Sequence, residues 1–257
     1  MDAEELRALF DLSGRTVIIT GGTRGIGFAL AQGHLAAGAN VVVTGRSEDG
    51  CRVAQTALKS DGTGQVTAIA AHMGDLEQVK NLIQQTVSIF GGIDVVVNNA
   101  ATSLLQQFGG ITPEAWQKSL AVNVTGPLFL VQEALPHLTA SEHAAVLNLI
   151  SPAAFMFAGT MPLYAAGKSA MLALTRSMAA AFAPNSIRVN ALAPGPVDTQ
   201  MMRNNPPEFI EATANQTLLR RLAGPEEMIG PALLLTSDAG SYITGQVLLA
   251  DGGMVAH

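Results

Sequence analysis

Tyr164 and Lys168 lie four positions apart in a stretch with helical apolar spacing, which puts both side chains on one helix face with Cβ atoms about 5–6 Å apart. One site can therefore use both. A phenol releases its proton near pH 10, so at neutral pH it is a general base only where adjacent positive charge holds the phenolate. Lys168 supplies such a charge. In the opposite direction the same phenol hands its proton to a developing alkoxide. The pair suits interconversion of an alcohol and a carbonyl, provided that a cofactor carries the hydride. Taken alone, Tyr164 reads equally as a packing aromatic and Lys168 as a solvated helix charge.

A second constellation sits near the start of the chain, Thr20-Gly21-Gly22-Thr23-Arg24-Gly25-Ile26-Gly27, directly after an apolar β-branched run and leading into an apolar helix. Glycines remove the Cβ atoms that would keep the backbone from a pyrophosphate, and the amides and dipole of the following helix favour its negative charge. Strand, glycines and helix in this order point to a dinucleotide rather than to a merely tight turn. An acid about 20 residues past such a loop binds the ribose hydroxyls of NAD. Here that place holds Gly45, followed by Arg46, with Arg24 inside the loop. Two guanidinium groups and no carboxylate suit a 2′-phosphate, because each can donate paired charge-assisted hydrogen bonds. NADP(H) is the expected cofactor and NAD(H) the alternative; the plainer reading leaves both arginines in solvent.

These residues need a frame. Short β-branched runs at 16–20, 40–44, 65–70, 93–97, 144–150, 187–191 and 246–250 alternate with longer stretches of helical spacing, among them 26–37, 75–90, 113–138 and 163–182. Alternation of this kind predicts parallel βαβ units. Continuous apolar runs such as Val95-Val96-Val97 predict strands buried on both faces. The expected fold is α/β: one doubly wound Rossmann-like domain over 1–257, a seven-stranded parallel sheet with helices on both faces. The chemistry-bearing residues then fall at strand ends, where open α/β sheets place their ligands. Asn204-Asn205-Pro206-Pro207 breaks a late helical region and marks a lid around 198–220.

Composition excludes several classes. A net charge of −6 offers no field to a phosphate backbone, so no nucleic acid partner is expected, and it disfavours anionic membranes. No apolar run approaches the roughly 20 residues that span a bilayer, and the acidic start Met1-Asp2-Ala3-Glu4-Glu5 is unlike a signal peptide, so a cytoplasmic protein is expected. Cys51 is the single cysteine; no disulfide, catalytic thiol or metal site is expected. Ser151 lacks a Gly-x-Ser-x-Gly context and His137 and His143 are expected at the surface, which argues against a hydrolytic triad.

The glycine spacing Gly-x-x-x-Gly-x-Gly, together with Asn98-Asn99-Ala100-Ala101, Asn123, Ser151, Tyr164/Lys168, Pro194-Gly195 and Asp251-Gly252-Gly253, resembles the short-chain dehydrogenase/reductase family, in particular its NADP-preferring, 3-oxoacyl reductase-like branch. The resemblance runs from Thr16 to Gly253. It implies Tyr164 as the acid/base, Lys168 as its cation, Ser151 as the group polarising the substrate carbonyl and Asn123 as the holder of a water that links Lys168 to solvent. The implied cofactor contacts are Gly21, Thr23, Arg24, Gly25, Ile26, Gly27, Arg46, Asn99, Ala100, Ala101, Tyr164, Lys168, Pro194, Gly195, Val197 and Thr199, with Val197 backbone groups and the Thr199 hydroxyl on the carboxamide of nicotinamide. Ala101 departs from the glycine usual at its place and crowds the cofactor slightly. His72 stands where the family often has an acid for the adenine amino group, so backbone groups of His72 and Met73 are expected there, with Asp75 capping the next helix.

Pro152, Ala153, Met161, Pro196, Met201 and Met202, with Phe155, Phe157, Leu104 and Leu105, form an apolar candidate wall, which suits a hydrophobic ketone, a 3-oxoacyl thioester or a sterol-like substrate better than a polyol. Hydrophobic residues make up 48% of the chain and charged ones only 13%, an excess that subunit association would cover. The resemblance implies a homotetramer or homodimer built on 113–138 and 163–182. Two other readings stay open: an NAD-linked sugar or polyol dehydrogenase on the same fold, and a catalytically inert nucleotide-sensing protein.

Overall fold

The computed structural model describes residues 1–58, 64–104 and 106–255. The β-branched runs become β1 (Thr16–Ile19), β2 (Asn40–Gly45), β3 (Val66–Ala70), β4 (Val95–Asn98), β5 (Ala145–Leu149), β6 (Arg188–Pro194) and β7 (Val247–Ala250). They form one sheet in the order β3-β2-β1-β4-β5-β6-β7 with every pairing parallel. The order runs outward from β1 to β3, then returns to β4 and runs the other way. The helices that follow β1 and β4 therefore lie on opposite faces of the sheet, and the crevice in which such sheets hold ligands opens above the C-terminal ends of these two strands.

Ten α-helices surround the sheet among the described residues: α1 (Ala3–Ala8), α2 (Gly25–Ala36), α3 (Glu48–Ala57), α4 (Leu76–Phe90), α5 (Pro113–Leu120), α6 (Gly126–Ala140), α7 (Pro162–Phe182), α8 (Gln200–Arg203), α9 (Pro207–Asn215) and α10 (Ile229–Thr236). Alternate strand residues explain the two layers. Val17, Ile19, Val41, Val43, Val95 and Val97 pack with Leu30 and Leu35 of α2 and Ala232 and Leu235 of α10. Ile18, Val42, Val96 and Val146 face the other way, onto Val79 and Leu82 of α4, Leu130 and Val131 of α6 and Met178 of α7. Each fully buried aliphatic side chain contributes roughly 1.5–3 kcal/mol, which is why these strands read as unbroken apolar runs.

Three differences from the sequence-based expectation have local causes. The helix expected over 113–138 is divided: between α5 and α6 the segment Ala121–Thr125 is π-helical, with Gly126 N–H reaching back to Ala121 O. Pro127 has no N–H for the carbonyl of Asn123 four residues earlier, so an α-helical ladder cannot run through this point. β6 extends to Pro194, beyond the expected 191; β5 ends opposite Leu192, so the missing proline N–H costs no ladder bond there. α1 was not expected. Asp2 accepts from the N–H groups of Glu4 and Glu5 at 2.8 Å, and Glu5 accepts from Asp2 N–H at 2.8 Å, a capping box that the acidic start encodes. As expected, Asp75 caps α4 by accepting from Glu77 and Gln78 N–H at 3.1 and 3.2 Å.

Candidate active site

α7 begins at Pro162, whose fixed φ suits a first helical position, and carries Tyr164 and Lys168 on the face turned to the end of β5. Lys168 is buried; its Nζ donates to Leu149 O at 2.6 Å and lies 5.5 Å from the centroid of the Tyr164 ring. Burial pushes the Lys168 ammonium down to about 8. Burial also raises the Tyr164 phenol, and a hydrogen bond from the Ser151 hydroxyl offsets part of that rise. Ser151 stands two residues past β5 and starts a short 3₁₀ turn, Pro152–Ala154; its Oγ also accepts from Ala153 N–H at 3.2 Å. Phenol, hydroxyl and ammonium thus meet above the C-terminal end of β5.

Asn123 is buried inside the π-helical segment. Its Oδ1 accepts from Thr102 N–H and its Nδ2 donates to Thr102 O, both at 2.9 Å, with a further bond to Ser119 Oγ at 3.2 Å. The side chain therefore clamps the loop that follows β4. A β-carbon on Gly167 would stand 3.0 Å from Asn123 Cβ, so glycine lets α7 approach this segment closely.

At the crevice, Gly21 and Gly25 hold φ of 64° and 57°, in the left-handed region that favours glycine. A β-carbon on Gly27 would run into Asn99 Nδ2 and Gly21 O. Asn99 fastens the loop to β4: its Nδ2 donates to Thr20 O at 2.8 Å and Gly21 O at 3.2 Å, while Thr20 Oγ1 accepts from Asn99 and Ala100 N–H at 3.0 Å each. With the loop's carbonyls held from below, its helix-end amides stay available. Arg24 and Arg46 are exposed and form no ion pair among the described residues.

Residues 21–255 match the enoyl-(acyl carrier protein) reductase family. Human dehydrogenase/reductase SDR family member 4 is 35% identical over 247 residues, covering 94% of this chain and 88% of that protein. A rhamnolipids biosynthesis 3-oxoacyl-[acyl-carrier-protein] reductase of Pseudomonas aeruginosa is 35% identical over 251 residues, 95% of this chain and 97% of its own. The solved RhlG/NADP active-site complex of the same organism superposes with a TM-score of 0.90 at 33% identity, covering 96% of this chain and 98% of that one. The chain belongs to the short-chain dehydrogenase/reductase family. It is an oxidoreductase of CH–OH and C=O groups on a fold that binds a nicotinamide cofactor.

The donor set of this short-chain dehydrogenase/reductase fits such a cofactor. α2 has no side-chain cap and no acid in its first turn, and the N–H groups of Gly25, Ile26 and Gly27 have no acceptor among the described residues. Across the crevice, Val197 O accepts from Thr199 N–H at 2.8 Å, while Val197 N–H and the Thr199 hydroxyl have no partner among the described residues. Pro194 closes β6, and Gly195 packs so close to Asp251 that a β-carbon there would overlap its backbone. At the end of β3, His72 N–H donates to Gln78 Oε1 at 2.8 Å and His72 Nδ1 accepts from Gly74 N–H at 3.1 Å. Met73 is buried, with its carbonyl against Gly126 and no acceptor for its N–H among the described residues. Ala101 is half-buried beside this loop.

The apolar wall is less uniform than its composition. Pro152, Ala153 and Pro196 are buried, Met161 and Met202 half-buried, Met201 exposed, and Phe157 fully in solvent. Leu105 lies outside the described residues. His143 is exposed beside Asp238, and Cys51 is buried with its thiol raised by burial. Among the described residues no helix is long and apolar enough to cross a membrane, and no three His, Cys, Asp or Glu side chains are grouped to hold a metal. Two participants escaped sequence reasoning: the Leu149 carbonyl under Lys168, a backbone group with no signature, and Thr20, whose place before the double glycine was the available signal.

Proposed function

We propose that this chain is an NADPH-dependent carbonyl reductase for small apolar ketones or 3-oxoacyl groups, with Tyr164 as acid/base, Ser151 as carbonyl-polarising donor, Lys168 as the cation beside the phenol, and Asn123 as the residue that holds the water linking Lys168 to solvent. The observation that carries this reading is the Tyr164 phenol hydrogen-bonded to Ser151 beside the buried Lys168 ammonium. Ser151 and Tyr164 donate to the substrate oxygen, and the phenol proton moves to that oxygen as negative charge grows on it. Lys168 stabilises the phenolate left behind, and its ammonium carries the replacement proton from solvent. Bound NADPH supplies the hydride.

The N–H groups of Gly25, Ile26 and Gly27 would hold the pyrophosphate, Arg24 and Arg46 the 2′-phosphate, and Val197 N–H with the Thr199 hydroxyl the carboxamide. The absence of an acid at Gly45 supports the phosphorylated nucleotide, as does likeness to a relative solved with NADP. Likeness to a 3-oxoacyl reductase supports the substrate class. Residues 198–220 serve as a lid over the apolar wall, joined at its neck where Asp198 N–H donates to Ala223 O at 2.9 Å and Ala223 N–H to Pro196 O at 3.0 Å. A panel of ketones and 3-oxoacyl thioesters, scored by loss of NADPH or NADH absorbance with Tyr164→Phe as control, tests the proposal. Expected are turnover with NADPH in preference to NADH and loss of at least about 100-fold in kcat in the variant. Equal turnover by Tyr164→Phe refutes the acid/base role, and an NADH preference refutes the arginine argument.

A further inference from the structure

β2 ends at Gly45, and a β-carbon built there would lie 2.6 Å from Thr23 Cγ2, 3.0 Å from Thr23 Oγ1 and 3.4 Å from Cys51 Sγ. The φ of Gly45 is not in the left-handed region, so this glycine is required for space and not for backbone freedom. Thr23 reaches over it from the glycine loop. Turning χ1 of a threonine only exchanges Cγ2, Oγ1 and a hydrogen among three staggered positions. Two of those positions face Gly45, so at least one heavy atom faces it in every rotamer. Thr23 Cβ itself stands no closer than Cys51 Sγ, so the obstruction lies in the branch and not in the stem. Cys51, on α3, closes the other side: it is buried and its Sγ sits 3.8 Å from Gly45 O.

Position 45 is where a carboxylate would select the ribose diol of an unphosphorylated dinucleotide. We propose that Thr23 is a specificity-determining residue, because its branched side chain fills the space above Gly45 and thereby excludes an acid from the end of β2. The inference rests on the phosphate-selecting reading of Arg24 and Arg46. Its consequence is that cofactor choice is coupled between two positions that are far apart in sequence: an acid at 45 is accommodated only after residue 23 loses its branch.

The steric part is tested without nucleotide by a double-mutant cycle in Tm on Gly45→Ala and Thr23→Ala. Gly45→Ala lowers Tm by about 4–8 °C when Thr23 is present, as overpacking does in a chain of this size, and by less than about half as much in the Thr23→Ala background. Additive Tm changes overturn the proposal. The selectivity part is tested by calorimetric titration of NADP⁺ and NAD⁺ into the wild type, Gly45→Asp and Thr23→Ala/Gly45→Asp. The double variant binds NAD⁺ at least tenfold tighter than Gly45→Asp does, and loses the preference for NADP⁺. Equal NAD⁺ affinity in the single and double variants overturns it. A wild type that prefers NAD⁺ refutes the reading of the arginines instead, and the nucleotide-free cycle is scored independently of that result.

Discussion

Replacing Lys168 by methionine separates what the site needs for chemistry from what the fold needs for stability. Lys168 is buried, and burial takes its ammonium from 10.5 down to about 8. The gap corresponds to about 3 kcal/mol that the folded chain loses by carrying this charge at pH 7. Methionine removes that cost, while the Leu149 carbonyl, now without the donor at 2.6 Å, gives back about 1–3 kcal/mol. The variant is therefore expected to be as stable as the wild type at pH 7 or more stable by up to about 2 kcal/mol, and inactive. The pH dependence is sharper. Between pH 8 and 10.5 the unfolded chain keeps the Lys168 proton and the folded chain sheds it, so wild-type stability rises with pH across this window. Relative to Lys168→Met the wild type gains about 3 kcal/mol from pH 7 to 10.5, and other titrating groups cancel in the difference. Urea unfolding of both proteins without nucleotide, at one protein concentration and several pH values, measures it. A flat difference curve, or a variant that is less stable by more than about 2 kcal/mol at pH 7, refutes the reasoning.

His34 is buried with Nδ1 2.7 Å from Leu30 O and Nε2 3.0 Å from Thr236 Oγ1, whose own hydroxyl donates to Ala232 O at 2.8 Å; a carbonyl only accepts, so Nδ1 carries the proton of the neutral ring. Burial pushes His34 down to about 4, so its contribution is present above pH 6.5 and is lost as pH falls toward 4, at most about 3 kcal/mol. Urea midpoints of the wild type and His34→Leu should diverge least at pH 4 and most at pH 7, and parallel curves would disprove the neutral assignment. Asn123→Ala frees both backbone groups of Thr102 and is expected to lose about 2 kcal/mol, lowering Tm by roughly 4–8 °C, with kcat falling through a displaced post-β4 loop. An unchanged Tm by scanning calorimetry would contradict the clamp.

The sheet was legible because its strands are buried on both faces, so Val41-Val42-Val43 and Val95-Val96-Val97 announce themselves without alternation. Strand ends were read to within about three residues, and β6 was read short because Pro194 looks like a stop until the edge of β5 is known. The division of 113–138 was less visible: Pro127 was in plain sight, but a proline near a helix start and a proline that breaks a ladder share one sequence. α1 was passed over although its Asp2 and Glu5 spell a capping box. Tyr164 and Lys168 share a helix face as their spacing implied and Ser151 stands beside them as the family resemblance implied, while the clamp between Asn123 and Thr102 and the support under Lys168 use backbone atoms, which carry no residue identity. The apolar wall was the least legible part, since hydrophobicity does not distinguish Pro152, which is buried, from Phe157, which faces solvent.

The polar residues gathered here share a pattern that bears on whether the site works or is inert. Asn99 commits its amide to the carbonyls of Thr20 and Gly21, which leaves the N–H groups at the start of α2 without acceptors. Asn123 commits its amide to Thr102, Lys168 one ammonium proton to Leu149 O, and Ser151 a lone pair to Ala153 N–H. In each case an anchoring bond to backbone fixes the direction of the side chain. A packing role does not call for a buried ammonium, pushed down to about 8, beside the Tyr164 phenol. Charge retained in the interior at a cost of about 3 kcal/mol, where methionine would fill the same volume, supports the proposed role of Lys168 as the cation beside the Tyr164 phenol.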